Sequence, residues 1–453
     1  MTTEPTPIIT TADPTRRGFL KTSAAATATV AAASLPIELC AQVAGSDQIK
    51  LALIGCGGRG GGAANQNLSS KEGNVKLVAM ADAFQDRLEG TLSSLKANHP
   101  DKVDVKDDKK FVGFDAYEAA IHEADLVILA TPPGFRPRHF KAAVEAGKNI
   151  FSEKPTNVDA VGARIYHEAA KLADAKNLKV VVGLQRHYQR IYRDTLAKLK
   201  EGLIGEVVSG QVYWNGNTPW VKPRTANQTE MQYQMTNWYF FVWLCGDHIV
   251  EQHVHNIDVF NWYMSELLGA PNDQPVHPIS AQGMGGRQVR TGVEFGQIFD
   301  HHYVEYTYPN GVVLNAQCRH QADTWQNVSE TIMGTKGICY PARGIIKDRA
   351  GKTLWAYKGE DDPDPYQVEH DELHKAIKTN TPLNNAYYGN TSSFTAVLGR
   401  LATYGGNMVK WEDAWNSDLT DFPDKFAWDA MPKVLPDDKG FYPVAVPGKT
   451  KVV

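Results

Sequence analysis

Short apolar runs alternate with longer stretches in which apolar positions recur every three or four residues over the first third of the chain. Ile49 to Ile54, I-K-L-A-L-I, reads as a buried strand. Val75 to Ala81, Asp125 to Ala130 (D-L-V-I-L-A), Lys148 to Ser152 and Lys179 to Val182 repeat that pattern. Helical periodicity fills the gaps at Gly60 to Lys71, Phe84 to Lys96, Ala116 to Glu123, Pro137 to Ala146 and Asp159 to Ala175. Gly147 follows the fourth of these as a C-terminal cap. The charged stretch from Val103 to Val112 reads as hairpin-like. Such alternation implies right-handed crossovers and a parallel sheet.

Beyond about Gly205 the period changes to two. Val207 to Trp214, Gln282 to Met284, Tyr303 to Tyr308, Val312 to Cys318 and Glu330 to Met333 read as half-buried strands. Tyr308-Pro309-Asn310-Gly311 is a hairpin signal between two of them. The expected fold is an α/β Rossmann domain over residues 46–183. An α+β domain with a largely antiparallel open β-sheet follows over 184–453. No internal repeat is visible.

Composition narrows the function. The 453 residues carry a formal net charge of −4, which gives no basic field for nucleic acid. Aromatic residues make up 10% and include ten Trp. Sugar stacking and ordinary core packing account for them equally well. Five Cys form no CxxC pair and no metal-type spacing, as scattered core thiols would.

The first 45 residues stand apart. Thr15 to Lys21 reads T-R-R-G-F-L-K, followed by a mildly apolar Ala/Thr stretch from Thr22 to Leu35. This resembles a twin-arginine (Tat) signal peptide, with Arg16 and Arg17 as the pair. The apolar stretch is too short for a membrane span. Cleavage is expected after Ala33 or Ala41, and Leu39 argues against lipidation of Cys40. Export to the periplasm through the Tat translocon is the expectation. Tat carriers move folded proteins, so a nucleotide cofactor would be loaded beforehand and held tightly.

Gly55-Cys56-Gly57-Gly58-Arg59-Gly60 is G-x-G-x-x-G between a strand and a helix. In that context it marks a dinucleotide site: Gly55 for the turn, Gly57 for backbone approach to the pyrophosphate, Gly60 for helix–strand packing. The helix N-terminus adds partial positive charge. Asp82 ends the second strand, where a carboxylate accepts from ribose hydroxyls and repels a 2′-phosphate. NAD is therefore expected ahead of NADP. Thr131 and Pro132, after the third strand, should lie along the nicotinamide.

With these pieces in place, the chain resembles the glucose–fructose oxidoreductase, inositol dehydrogenase and MocA family (Gfo/Idh/MocA). The residues that carry the resemblance are I-G-C-G-G-R-G at 54–60, Asp82, A-T-P-P at 130–133 and A-G-K-N-I-F-S-E-K-P at 146–155. The resemblance implies that Lys154, with Glu153 beside it, lies near the nicotinamide and the reacting carbon. It also matches the family's helical D-x-x-x-H to Glu251 and His255, with Glu in place of Asp. Asp258 follows on the same helix. Arg186, His187 and Tyr192 resemble a substrate-side segment. The family often associates through its open sheet, which implies a homo-oligomer, dimer or tetramer.

Alcohol oxidation needs a base for the hydroxyl proton while hydride leaves. His255 fits as general acid/base and Lys154 as the group that orients the hydroxyl, with the two roles exchangeable. Trp214, Asn215 and Trp238 could form a sugar wall. Asp247, His248, Glu251, His253, His255 and Asp258 crowd into twelve residues and raise a metal reading. The order lacks H-E-x-x-H, and no metal is expected. The reading is an exported NAD-dependent oxidoreductase acting on a secondary hydroxyl of a sugar, polyol or related compound. The alternative is an NAD-dependent glycoside hydrolase working by oxidation, elimination and reduction.

Overall fold

Strands buried on both faces need helices on both sides, and the first half of the protein supplies them. A computed structural model describes residues 47–453. The Tat motif, both cleavage positions and Cys40 lie outside the described residues. In chain order the first elements are β1 (Gln48–Ile54), α1 (Gly58–Ser69), β2 (Asn74–Asp82), α2 (Gln85–Asn98), β3 (Lys110–Val112) and α3 (Ala116–His122). Then come β4 (Leu126–Leu129), α4 (Arg136–Glu145), β5 (Asn149–Ser152), α5 (Ala160–Ala175) and β6 (Val180–Val182). The six strands form one parallel sheet in the order β3-β2-β1-β4-β5-β6. All four residues of β4 and all three of β6 are buried. The Asp159 side chain caps α5 by accepting from the Gly162 amide at 2.7 Å.

One expectation fails here. The 103–112 stretch is not a hairpin: only Lys110–Val112 becomes a strand, and it pairs in parallel with β2. Val103 and Val105 tuck into the core beneath β2, which leaves the charged residues between them and β3 on a crossover.

A second sheet of nine strands follows α6 (Arg190–Lys200). Its central strand is β7 (Val207–Gly216). Next come α7 (Glu230–Thr236), α8 (Val242–Cys245), α9 (His248–Glu251) and α10 (Val254–Leu268). The remaining strands begin with β8 (Ser280–Gly286), β9 (His301–Thr307), β10 (Val313–His320) and β11 (Asn327–Gly334). They continue with β12 (Gly337–Tyr340), β13 (Ile345–Asp348), β14 (Thr353–Ala356) and β15 (Val409–Lys410). Every pairing is antiparallel except β7 with β10. The expected hairpin joins β9 and β10, with Gly311 at φ +80° and the Tyr308 amide donating to Val312 O. The last four strands, of two to four residues each, are too short to show a period of two.

The chain then returns to the first sheet. Helix α11 (Pro365–Thr379) places Leu373 in the core beside Leu77, Phe151 and Val181. Val180 pairs with the segment before α12 (Ala386–Gly405): its amide donates to Leu383 O, and its carbonyl accepts from the Asn385 amide. Further on, Phe422, Phe426 and Trp428 pack against Phe84, Phe114 and Phe135 at ring separations of 4.6–5.9 Å. The Trp428 carbonyl accepts from the Thr229 hydroxyl beside α7, so this strap touches both halves of the fold.

Candidate active site

The glycine loop closes off β1 as its sequence requires. Gly55 has φ +93°, and a Cβ there would lie 2.5 Å from the Ala130 carbonyl carbon and the Thr131 nitrogen. A Cβ on Gly60 would stand 1.9 Å from Gly55 O, so α1 could not pack onto β1. At Gly57 and Gly58 a Cβ meets nothing within 4 Å. Those two face the open cleft and leave backbone N–H groups free for a phosphate. The observed donors and open space therefore fit a dinucleotide. Asp82, 9% exposed, accepts from the Cys56 amide at 2.6 Å and the Phe84 amide at 2.8 Å. Burial raises its pKa, and those two amides and Arg87 oppose the rise.

The loop opens on a cleft of about 930 Å³ at the C-terminal ends of β1, β2, β4 and β5. One wall carries Gly55 to Gly60, Asp82, Thr131, Pro132, Glu153 and Lys154. The other carries Trp214, Trp220, Lys222, Met235, Trp238, Glu251, Gln252 and His255. The walls meet where Lys154 Nζ donates to Glu251 Oε1 at 2.8 Å and to the Glu251 carbonyl at 2.5 Å. Glu251 and His255 both line the cleft but not from a single helix. The chain breaks between α9 and α10, placing Glu251 on the first and His255 at the start of the second. His255 stacks on Trp214 at 5.7 Å, and its Nδ1 is buried without a partner. Burial, then Lys154, Arg186 and Arg59, hold its pKa well below the usual imidazole range. It is therefore a neutral base at physiological pH.

Arg59 ties the glycine loop to its surroundings. Its Nε donates to Glu153, its Nη1 to Gln66 and its Nη2 to Glu369 of α11. Glu153 in turn accepts from the Lys154 amide at 3.1 Å. Thr131 is bonded to His139 Nδ1 and still lines the cleft. Sequence reasoning missed Trp220 and Lys222, which lie in a segment with no motif, and Gln185 and Gln252, which stand beside residues it did name. It also missed Glu369, which arrives from 310 residues beyond Arg59.

Three expected substrate residues do not line this cleft. Arg186 faces Glu330 at 3.2 Å, and the Tyr192 hydroxyl donates to that same carboxylate. Asp258 bonds His187 Nε2 at 2.8 Å and accepts from Ser392 at 2.9 Å. All three are buried and serve packing between α6, α10 and the second sheet. Asn215, proposed with Trp214 and Trp238 as a sugar wall, turns from the cleft and donates to Gln317. His248 shares no face with His255. It packs with Asp247 and His302 in a buried group whose ligand-type atoms lie within 4.8 Å. The Asp247 carboxylate there already accepts from the His248 amide and Nδ1, the Phe299 amide and the Tyr404 hydroxyl. Cys56, Cys245, Cys318 and Cys339 are free and buried.

Comparison with known proteins places this geometry. Residues 49–184 match the GFO_IDH_MocA family, described as an oxidoreductase family with an NAD-binding Rossmann fold. Oxidoreductase P35 of Formosa agariphila is 25% identical over 240 residues, covering 51% of this chain and 71% of that one. A glycosyl hydrolase family 109 protein of Solibacter usitatus is 28% identical over 179 residues, 37% of each chain. Inositol 2-dehydrogenase of Rhizobium meliloti is 28% identical over 159 residues, 35% of this chain and 43% of that one. The chain thus spans less than half the length of the last two. In fold it is similar to scyllo-inositol dehydrogenase of Lactobacillus casei, solved with bound NAD(H) and scyllo-inositol. That likeness has a TM-score of 0.58 at 17% identity and covers 80% of this chain and 99% of that one. Over residues 49–184 the chain is thus similar to the NAD-binding Rossmann fold of the Gfo/Idh/MocA oxidoreductases.

Proposed function

We propose that this protein oxidises a secondary hydroxyl of a sugar, polyol or related compound, with NAD as the hydride acceptor. The contact between Lys154 and Glu251 across the cleft carries this reading. It joins the end of β5, on the same wall as the glycine loop, to the wall that bears His255. A nicotinamide dinucleotide held by the Gly55 to Gly60 loop and Asp82 would supply the hydride acceptor. The substrate hydroxyl then needs a proton acceptor, and neutral His255 supplies one. Lys154 donates a hydrogen bond to the same oxygen, and Glu251 fixes the ammonium in place. Either Lys154 or His255 can pass the proton onward. Dehydrogenase assays over a polyol and sugar panel test the reading: steady NADH formation supports it, and none with NAD bound refutes it.

Asp82 supports NAD over NADP, because its carboxylate stands at the end of β2 and would repel a 2′-phosphate. A second reading, NAD-dependent glycoside cleavage, is favoured by the similarity to the glycosyl hydrolase family 109 protein. Aglycone release without net NADH would select it.

The T-R-R-G-F-L-K motif supports export of the folded protein with its cofactor resident. Periplasmic fractionation of wild type against an Arg16→Lys, Arg17→Lys variant tests this, and equal export of both would refute it. Half-buried polar residues on the outer face of β7, β9 and β10, Tyr213, Tyr303, Asn315 and Gln317 among them, support a homo-oligomer through that sheet. Native mass spectrometry reads both the subunit count and the retained dinucleotide.

A further inference from the structure

The proposed reaction leaves unused a group of side chains on the second wall of the cleft. Trp220 stands on the loop after β7, lines the cleft and is 45% exposed. Its ring meets Trp238 at 6.2 Å and Phe240, nearly perpendicular, at 6.5 Å. The loop is pinned beneath it. The buried Asn237 side chain accepts from the Lys222 amide and donates to the Lys222 carbonyl, both at 2.8 Å. Lys222 Nζ lies 6.0 Å from the Trp220 ring centre and joins none of the ion pairs found among the described residues.

A large apolar ring held in place yet left open to solvent at a cleft marks a binding surface. A buried amide that spends both its hydrogen-bonding groups on one loop residue pre-orders that surface before a ligand arrives. Aromatic rings match the C–H face of a sugar ring, and a free ammonium donates three hydrogen bonds to its hydroxyls. A free polyol small enough to sit among Lys154, Glu251 and His255 would not need this platform. Resting on the oxidoreductase reading of that end of the cleft, we infer that the substrate is a glycoside or oligosaccharide. Its reacting ring lies at Lys154, Glu251 and His255. The neighbouring ring is held by Trp220, Trp238 and Lys222.

The test titrates the NAD-loaded full chain with matched pairs, glucose against cellobiose and maltose, galactose against lactose, by calorimetry and by NADH formation. Wild type should bind a disaccharide of at least one pair tenfold or more tightly than its monosaccharide. Trp220→Ala and, independently, Lys222→Ala should erase that margin. Both side chains are exposed, and circular dichroism should show the variants folded. If no disaccharide is preferred, or if the preference survives both substitutions, the inference is overturned while the oxidoreductase reading stands. If no sugar of either size binds or is oxidised, the proposed function itself falls.

Discussion

At Lys154 the backbone amide and the ammonium meet different carboxylates, Glu153 of its own segment and Glu251 of the opposite wall. Removing that ammonium leaves the buried Glu251 carboxylate without its cation. Lys154→Ala should therefore lower kcat by about 10²–10⁴ and also lower the melting temperature. Unchanged turnover on the true substrate would remove Lys154 from the mechanism. Asp82 makes a second test. Asp82→Asn loses the charge and leaves one acceptor oxygen for the two amides the carboxylate served, and should shift the NAD-to-NADP affinity ratio toward NADP by about tenfold, or ~1.4 kcal/mol. Titrating both nucleotides measures it. Residues of this kind were legible in the sequence because each sits at a fixed offset from a strand end. Lys222 and Glu369 were not, because only folding brings their segments to the cleft. Arg186, Tyr192 and Asp258 misled for the reverse reason: polar groups near a motif found buried partners instead.

At the scale of elements, the tightest constraint lies between α1 and β1. Gly60→Ala places a methyl carbon in van der Waals conflict with Gly55 O, and that oxygen belongs to backbone that cannot give way. Overpacking of this kind costs about 1–3 kcal/mol. The helix start should shift, and dinucleotide binding should weaken more than global stability. Chemical denaturation and NAD titration on one sample separate the two effects. The parallel sheet was readable from its apolar runs, since strands covered on both faces carry little else. The break between α9 and α10 was not. Spacing of four fits one continuous helix, whereas the turn at Gln252 and His253 divides it. Glu251 and His255 converge on the cleft all the same.

For the whole molecule, buried imidazoles set the response to acid. Burial pushes His139 and His253 down to about 3, and His248 and His374 down to about 4. Between pH 6.5 and 4 the unfolded chain takes up protons that the folded chain refuses. Stability thus rises with pH across that window and drains as acid is added. Asp82 and Glu369, pushed up by burial, act in the opposite sense, but only near and below their own higher values. The melting temperature should fall by roughly 10 °C or more from pH 7 to pH 4.5, and scanning calorimetry of the purified protein would show it. A flat profile over that range would mean the histidines are hydrated.

The return of α11, α12 and the aromatic strap to the first sheet has a consequence for biosynthesis. Leu373 and the Leu383–Asn385 pairing complete a core that began with β1, and Trp428 braces the cleft wall at Phe84 and Phe114. A ribosome delivers those pieces only after more than four-fifths of the chain has been made. The nascent Rossmann half must therefore wait, with apolar surface uncovered, for its last helices. A fragment ending near Gly183 should aggregate, and the dinucleotide site is finished only once translation is nearly over.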